Sequence, residues 1–232
     1  MKSKNCLVTG AAGNLGKAVV TQLISDGHTV VGVMKPSHDA GKLQEFSEFT
    51  RYEADVSQEN EVENLIKHLT QTHQHIDFAA LLVGGFAMGP LESTSLEDIR
   101  KMYELNFITA YLCCQKLYTQ MIQQENGGDI VLVGARPALE PSAAATMVSY
   151  SLSKSLLFQL SDIINAKTSK TGVRCSVIVP SIIDTPNNRE SMPDANFDDW
   201  VTPDQIAKTI SYLASPTSKP LRQTIFKLYG DA

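Results

Sequence analysis

Tyr150 and Lys154 stand four residues apart in the run YSLSK, which puts a phenol and an ammonium on one face of a helix. A free phenol ionises at about pH 10 and is a poor acid; a neighbouring cation favours its ionised form. Such a pair can exchange a proton with a bound substrate. The spacing recurs by chance in many chains, and its weight comes from a second motif far upstream. Thr9-Gly10-Ala11-Ala12-Gly13-Asn14-Leu15-Gly16 follows a short apolar run and leads into Leu15, Val19 and Leu23 at helical spacing. Glycines let the chain turn tightly and let backbone amides approach a pyrophosphate at the positive end of a helix.

The elements that must position these residues are read from hydrophobic periodicity. Short apolar runs at Asn5 to Thr9, Thr29 to Val33, Phe78 to Val83, Ile130 to Val133, Val173 to Val179 and Thr224 to Leu228 predict strands. With a strand ahead of Asp55 they make about seven. Helical spacing lies between them: Val62, Leu65, Ile66 and Leu69 share one face, with Ser57 as the expected N-cap. Ser95 with Asp98, and Thr202-Pro203-Asp204-Gln205, mark two further helix starts. Alternation of this kind predicts one α/β domain over residues 1–232, a doubly wound parallel sheet flanked by helices. The segment at about 186–202 is polar and turn-rich and follows a strand end, where such folds bind ligands; it reads as a substrate loop.

The TGxxxGxG turn followed by YxxxK resembles the short-chain dehydrogenase/reductase family, whose fold is of the Rossmann type. The resemblance implies an oxidoreductase using a nicotinamide dinucleotide, with Tyr150, Lys154 and Asn106 as its catalytic residues. Cofactor contacts carried over on matching positions are Gly10, Gly13, Asn14, Leu15 and Gly16; Met34 and Lys35; the pair Asp55-Val56; Val83, Gly84 and Gly85; and Pro180, Ile183 and Thr185, besides Tyr150 and Lys154. The family's catalytic serine is missing, with Ala135 at its place, and Ser142 or Ser149 are candidates to replace it. Ser181 stands where the family has glycine. Helices around 96–124 and 149–169 correspond to those that pair in the family, which implies a homodimer.

Within the family, GARPALEPSAAATMVSYSLSK and VIVPSIIDTPNNRESMPDANFDDW resemble the dihydropteridine reductases. This implies hydride transfer to a conjugated acceptor, a quinonoid dihydropterin, with Tyr150 giving the proton and Phe86, Ala135, Tyr150 and Asn187 against the substrate. A quinone or activated-carbonyl reductase, and a non-catalytic dinucleotide sensor, stay open as alternatives. Strand two ends in Met34-Lys35 where an NAD enzyme carries an acid; a lysine can pair with a 2′-phosphate, so NADP(H) is favoured over NAD(H).

Composition narrows the partners. A net charge of −5, spread without basic blocks, offers no footprint for nucleic acid or an anionic membrane, and a small molecule fits better. The N-terminal residues lack a secretory apolar run, so the expected location is the cytoplasm. Four cysteines, Cys6, Cys113, Cys114 and Cys175, lack pairing spacings and read as reduced structural thiols. His68, His73 and His75 are loosely spaced at a helix end, without an acid or cysteine to complete a metal site.

Overall fold

The computed structural model describes residues 3–221 and 225–231. Among the described residues, seven strands form one parallel sheet: β1 Asn5–Thr9, β2 Thr29–Met34, β3 Phe49–Glu53, β4 Phe78–Leu81, β5 Gly128–Val133, β6 Val173–Pro180 and β7 Ile225–Leu228. Their order is β3-β2-β1-β4-β5-β6-β7. Thr224, expected to open the last strand, lies outside the described residues. The fourth strand stops at Leu81, short of the expected Val83, because the chain leaves the sheet towards the glycines that follow.

Both faces of the sheet are covered, so alternate side chains of each strand feed two cores. Leu7, Val31, Val33, Ala79 and Leu81 point into one core; Cys6, Val8, Val30, Phe78 and Ala80 point into the other. The helices, in chain order, are α1 Asn14–Ser25, α2 Glu59–His73, α3 Leu96–Tyr103, α4 Thr109–Met121, the short α5 Pro141–Ala144, α6 Val148–Asn165, the short α7 Thr168–Thr171, α8 Pro186–Ser191 and α9 Pro203–Ala214. The first core takes Val62, Leu65, Ile66 and Leu69 of α2, Leu117 of α4 and Leu157 of α6. The second takes Val19, Val20 and Leu23 of α1 and Ile206, Ile210 and Leu213 of α9. Removing a side chain such as Leu65 or Leu117 would cost about 2–5 kcal/mol.

Ser95 and Thr202 each close a reciprocal capping box, with Asp98 and Gln205 respectively. Ser57 does not cap α2. Its hydroxyl and its amide both bond to Oδ1 of Asp55, and the helix begins two residues later behind Gln58. All four cysteines are buried and free. Burial pushes the Cys113 and Cys175 thiols up to about 12, out of reach of ordinary thiolate chemistry.

The strand order reverses between β1 and β4, which opens a crevice at the carboxyl ends of the central strands. The glycine turn, Gly84-Gly85, Ala135 and the residues after Pro180 all follow strand ends on this side of the sheet.

Candidate active site

At the end of β1 the chain reverses through Gly10, whose φ of +68° is strained for any residue with a side chain. Gly16, on the first turn of α1, packs so tightly that an added Cβ would stand 2.1 Å from the Gly10 carbonyl oxygen. Asn14 and Leu15 complete that turn, with Gly13 as its N-cap and no acidic residue in it. A helix start leaves its first amides without intrahelical acceptors, and these can meet an anion.

The neighbouring strand ends carry the other half of this groove. Met34 and Glu53 are paired at the ends of β2 and β3, so Lys35 and Asp55 emerge side by side. Lys35 Nζ lies 2.7 Å from Asp55 Oδ2. Burial alone would raise the Asp55 carboxyl, but hydrogen bonds from Lys35 and Ser57 outweigh it and hold the group below its usual range. The Met34 and Val56 side chains are only 3% and 4% exposed and pack into the two cores.

On the far side, α3 runs into α4 through a π turn, Glu104–Ile108, which carries Asn106. The extra residue in that turn swings the Asn106 amide inward, where it is buried and fully bonded. Its Oδ1 accepts from the Gly85 amide at 2.8 Å, and its Nδ2 donates to the Gly85 carbonyl at 3.1 Å and to Ser153 Oγ at 3.0 Å. The general penalty for asparagine within a helix does not apply, because these bonds occupy the side chain. Ser153 in turn donates to the Tyr150 carbonyl at 2.7 Å.

Lys154 is buried on α6, one turn beyond Tyr150, and its Nζ donates to the Val133 carbonyl at 2.8 Å. A Cβ added at Gly84 would lie 2.7 Å from Asn106 Oδ1 and 3.0 Å from Lys154 Nζ. The glycine thus leaves open the space in front of both groups. Val83, half-buried, anchors this wall to the core. The Tyr150 ring meets Phe86 edge-on, with centroids 5.0 Å apart at 74°, and Phe86 itself is 59% exposed.

The acid–base balance differs from the sequence expectation. Burial pushes the Tyr150 phenol up to about 12, and this outweighs any lowering by the neighbouring lysine. The same burial draws the Lys154 ammonium down to about 8. Tyr150 therefore holds its proton at neutral pH, the state required of a proton donor.

Ala135 is buried in extended backbone just after β5, and no hydroxyl stands at its position. Of the two candidate replacements, Ser142 is exposed on α5 and Ser149 is buried in the first turn of α6. Beyond β6, Ser181 adopts no left-handed conformation, so the missing glycine costs nothing here; its amide bonds to the Leu228 carbonyl at 2.9 Å. Ile183 bridges to Val201, and Thr185 accepts from the Asn188 amide as the N-cap of α8. The segment expected to be a loop is partly helical. α8 presents Asn187 to solvent and is latched by Arg189, whose guanidinium holds Asp184 at 2.6 and 2.8 Å and covers the Phe197 ring.

Sequence reasoning missed Ser153. A signal was present: it precedes Lys154 by one residue and lies three beyond Tyr150, on the inward side of the same helix.

A parallel sheet with a glycine turn at its switch point, and a tyrosine–lysine pair beside it, defines a nicotinamide-dinucleotide oxidoreductase. The sequence pattern of the family described as short chain dehydrogenase matches residues 4–196, and the chain belongs to that family. The chain is 27% identical to a dihydropteridine reductase of Dictyostelium discoideum, across 97% of this chain and 94% of that one. It is 26% identical to carbonyl reductase family member 4 of Xenopus tropicalis, across 91% of each. Among solved structures, ElxO with NADP bound superposes with a TM-score of 0.89 at 20% identity, covering 98% of both chains. The ligand-free aldohexose dehydrogenase of Thermoplasma acidophilum does so at 0.85 and 21%, covering 99% of this chain and 93% of that one. No helix among the described residues is long and apolar enough to cross a membrane.

Proposed function

We propose that the chain reduces a quinonoid dihydropterin, or a closely related conjugated heterocycle, with NADPH preferred over NADH. The observation that carries this reading is the edge-on packing of Phe86 on Tyr150, together with a buried alanine at position 135. The exposed Phe86 ring offers a face for a flat acceptor next to the phenol that gives the proton. A carbonyl standing alone needs a hydroxyl to polarise it, and Ala135 has none; a conjugated ring spreads the incoming charge over its own nitrogens. The dinucleotide, when bound, supplies the hydride.

The chain's residues do the rest. Asn14, Leu15 and Gly16 present amides to the pyrophosphate, and Lys35 meets the 2′-phosphate. Asn106 fixes the Gly84-Gly85 wall, and Lys154 stabilises the phenolate that Tyr150 becomes after protonating the acceptor. Residues 186–202, with Asn187 at their start, cover the acceptor. Similarity to dihydropteridine reductase over nearly the whole chain supports the reading.

Similarity to a carbonyl reductase favours a second acceptor class, quinones and activated carbonyls, served by the same residues. Leu152, Leu156 and Ile163 lie exposed along α6, with Tyr103 and Tyr111 exposed nearby, which supports pairing of two chains through these helices. Tyr150→Phe tests the assignment: turnover of the dihydropterin should vanish while NADPH binding persists. Full activity in that variant would refute the role of Tyr150 and with it this mechanism.

A further inference from the structure

Lys35 does not wait free for a phosphate. Its ammonium lies 2.7 Å from Asp55 Oδ2. The carboxylate cannot follow the lysine elsewhere, because Oδ1 is held by the Ser57 amide at 3.1 Å and the Ser57 hydroxyl at 2.8 Å. The residue's own amide is fixed as well, donating to Glu61 at 2.6 Å. Lys35 is the mobile partner, with a side chain 53% exposed against 29% for Asp55. The nearby cation, Arg51, is committed to Glu53 at 2.8 Å and to the Pro36 and His38 carbonyls at 3.2 Å each.

We infer that Asp55 is a specificity-determining residue for the dinucleotide, acting as a competitor that holds Lys35 until a 2′-phosphate takes it away. This rests on the NADP(H) reading given above. A phosphate monoester carries a charge of about −1.5 to −2 and outbids a single carboxylate for the ammonium. A ribose with two free hydroxyls has no such charge, and leaves Lys35 on Asp55. The ion pair therefore subtracts from the affinity for every 2′-phosphorylated ligand and leaves the unphosphorylated ones untouched. Its effect is to narrow the preference for NADP(H) that Lys35 alone would give.

The test is calorimetric titration of the whole chain with adenosine 2′,5′-bisphosphate and with adenosine 5′-monophosphate, which differ only in the 2′-phosphate. The quantity read is the ratio of their dissociation constants, so any general loss of adenosine binding cancels. Asp55→Asn, which keeps the acceptor for Ser57, should raise the preference for the bisphosphate about two- to fivefold, the range an exposed ion pair is worth. Lys35→Ala should bring the ratio close to one, and adding Asp55→Asn to it should change nothing further. Asp55→Ser gives a second removal of the charge should the asparagine variant fold poorly. A ratio unchanged or lowered by both Asp55 variants, while Lys35→Ala still abolishes it, would overturn the competitor role and leave the phosphate role of Lys35 standing. A ratio unaffected by Lys35→Ala would overturn both.

Discussion

Asn106 Nδ2 donates to Ser153 Oγ over 3.0 Å, and this bond joins the π turn to the helix that carries Tyr150 and Lys154. Both residues are buried, so the bond has no water to replace it. Ser153→Ala leaves one Asn106 amide hydrogen without an oxygen partner. The expected cost is about 1–2 kcal/mol, a fall in Tm of roughly 2–8 °C for a chain of this size. Ser153→Thr retains the hydroxyl and should recover much of the loss. Calorimetry of the two variants, together with the KM for NADPH, checks this: a structural role alone would leave KM unchanged, whereas positioning of the Gly85 wall raises it.

The glycines at 84 and 85 should respond differently. A methyl at Gly84 meets Asn106 Oδ1 and Lys154 Nζ, two groups of the proposed catalytic set. A methyl at Gly85 meets the end of the Leu105 side chain, 2.4 Å from Cδ2, which can turn away. Gly84→Ala should fold and lose about 100-fold or more in kcat/KM, since a displacement of about 1 Å at reacting groups costs that much. Gly85→Ala should lose far less. Equal losses in the two variants would contradict the contact at Lys154.

The pH dependence follows from burial. Tyr150, pushed up to about 12, stays protonated throughout the working range. Lys154, drawn down to about 8, is charged below that value and loses its charge above it. In the proposed mechanism the phenolate left by proton donation needs that charge, so kcat/KM for reduction should be level below about pH 8 and fall by about tenfold per unit above it. Lys154→Arg keeps a cation at all these values, and whatever activity it retains should lack the alkaline limb.

Position 135 should govern acceptor choice. Ala135→Ser places a hydroxyl where the fold holds only a methyl. One donor aimed at a developing oxyanion is worth about 100- to 1,000-fold in established sites. An engineered serine should recover part of that, raising turnover of a simple ketone by about tenfold without a matching gain on a dihydropterin. Equal changes on both acceptors would deny position 135 any part in that choice.

The alternation of buried apolar runs and helical faces was legible because both faces of the sheet are covered, and the glycine turn and Tyr150–Lys154 pair were legible from spacing. Three features were not. Ser57 looks like a helix cap, and only the fold shows that Asp55 takes its hydroxyl. The π turn at Asn106 adds one residue to a helix, which periodicity absorbs without a trace. The Lys35–Asp55 pair also escapes, since the residues are twenty apart and meet only because β2 and β3 are neighbours.

The central claim is best tested by a steady-state assay of the purified chain with a quinonoid dihydropterin, following oxidation of NADPH and of NADH against the non-enzymatic rate. The account predicts turnover well above background with both cofactors and a higher kcat/KM for NADPH. Background rates with both, from protein that demonstrably binds NADPH, would contradict it.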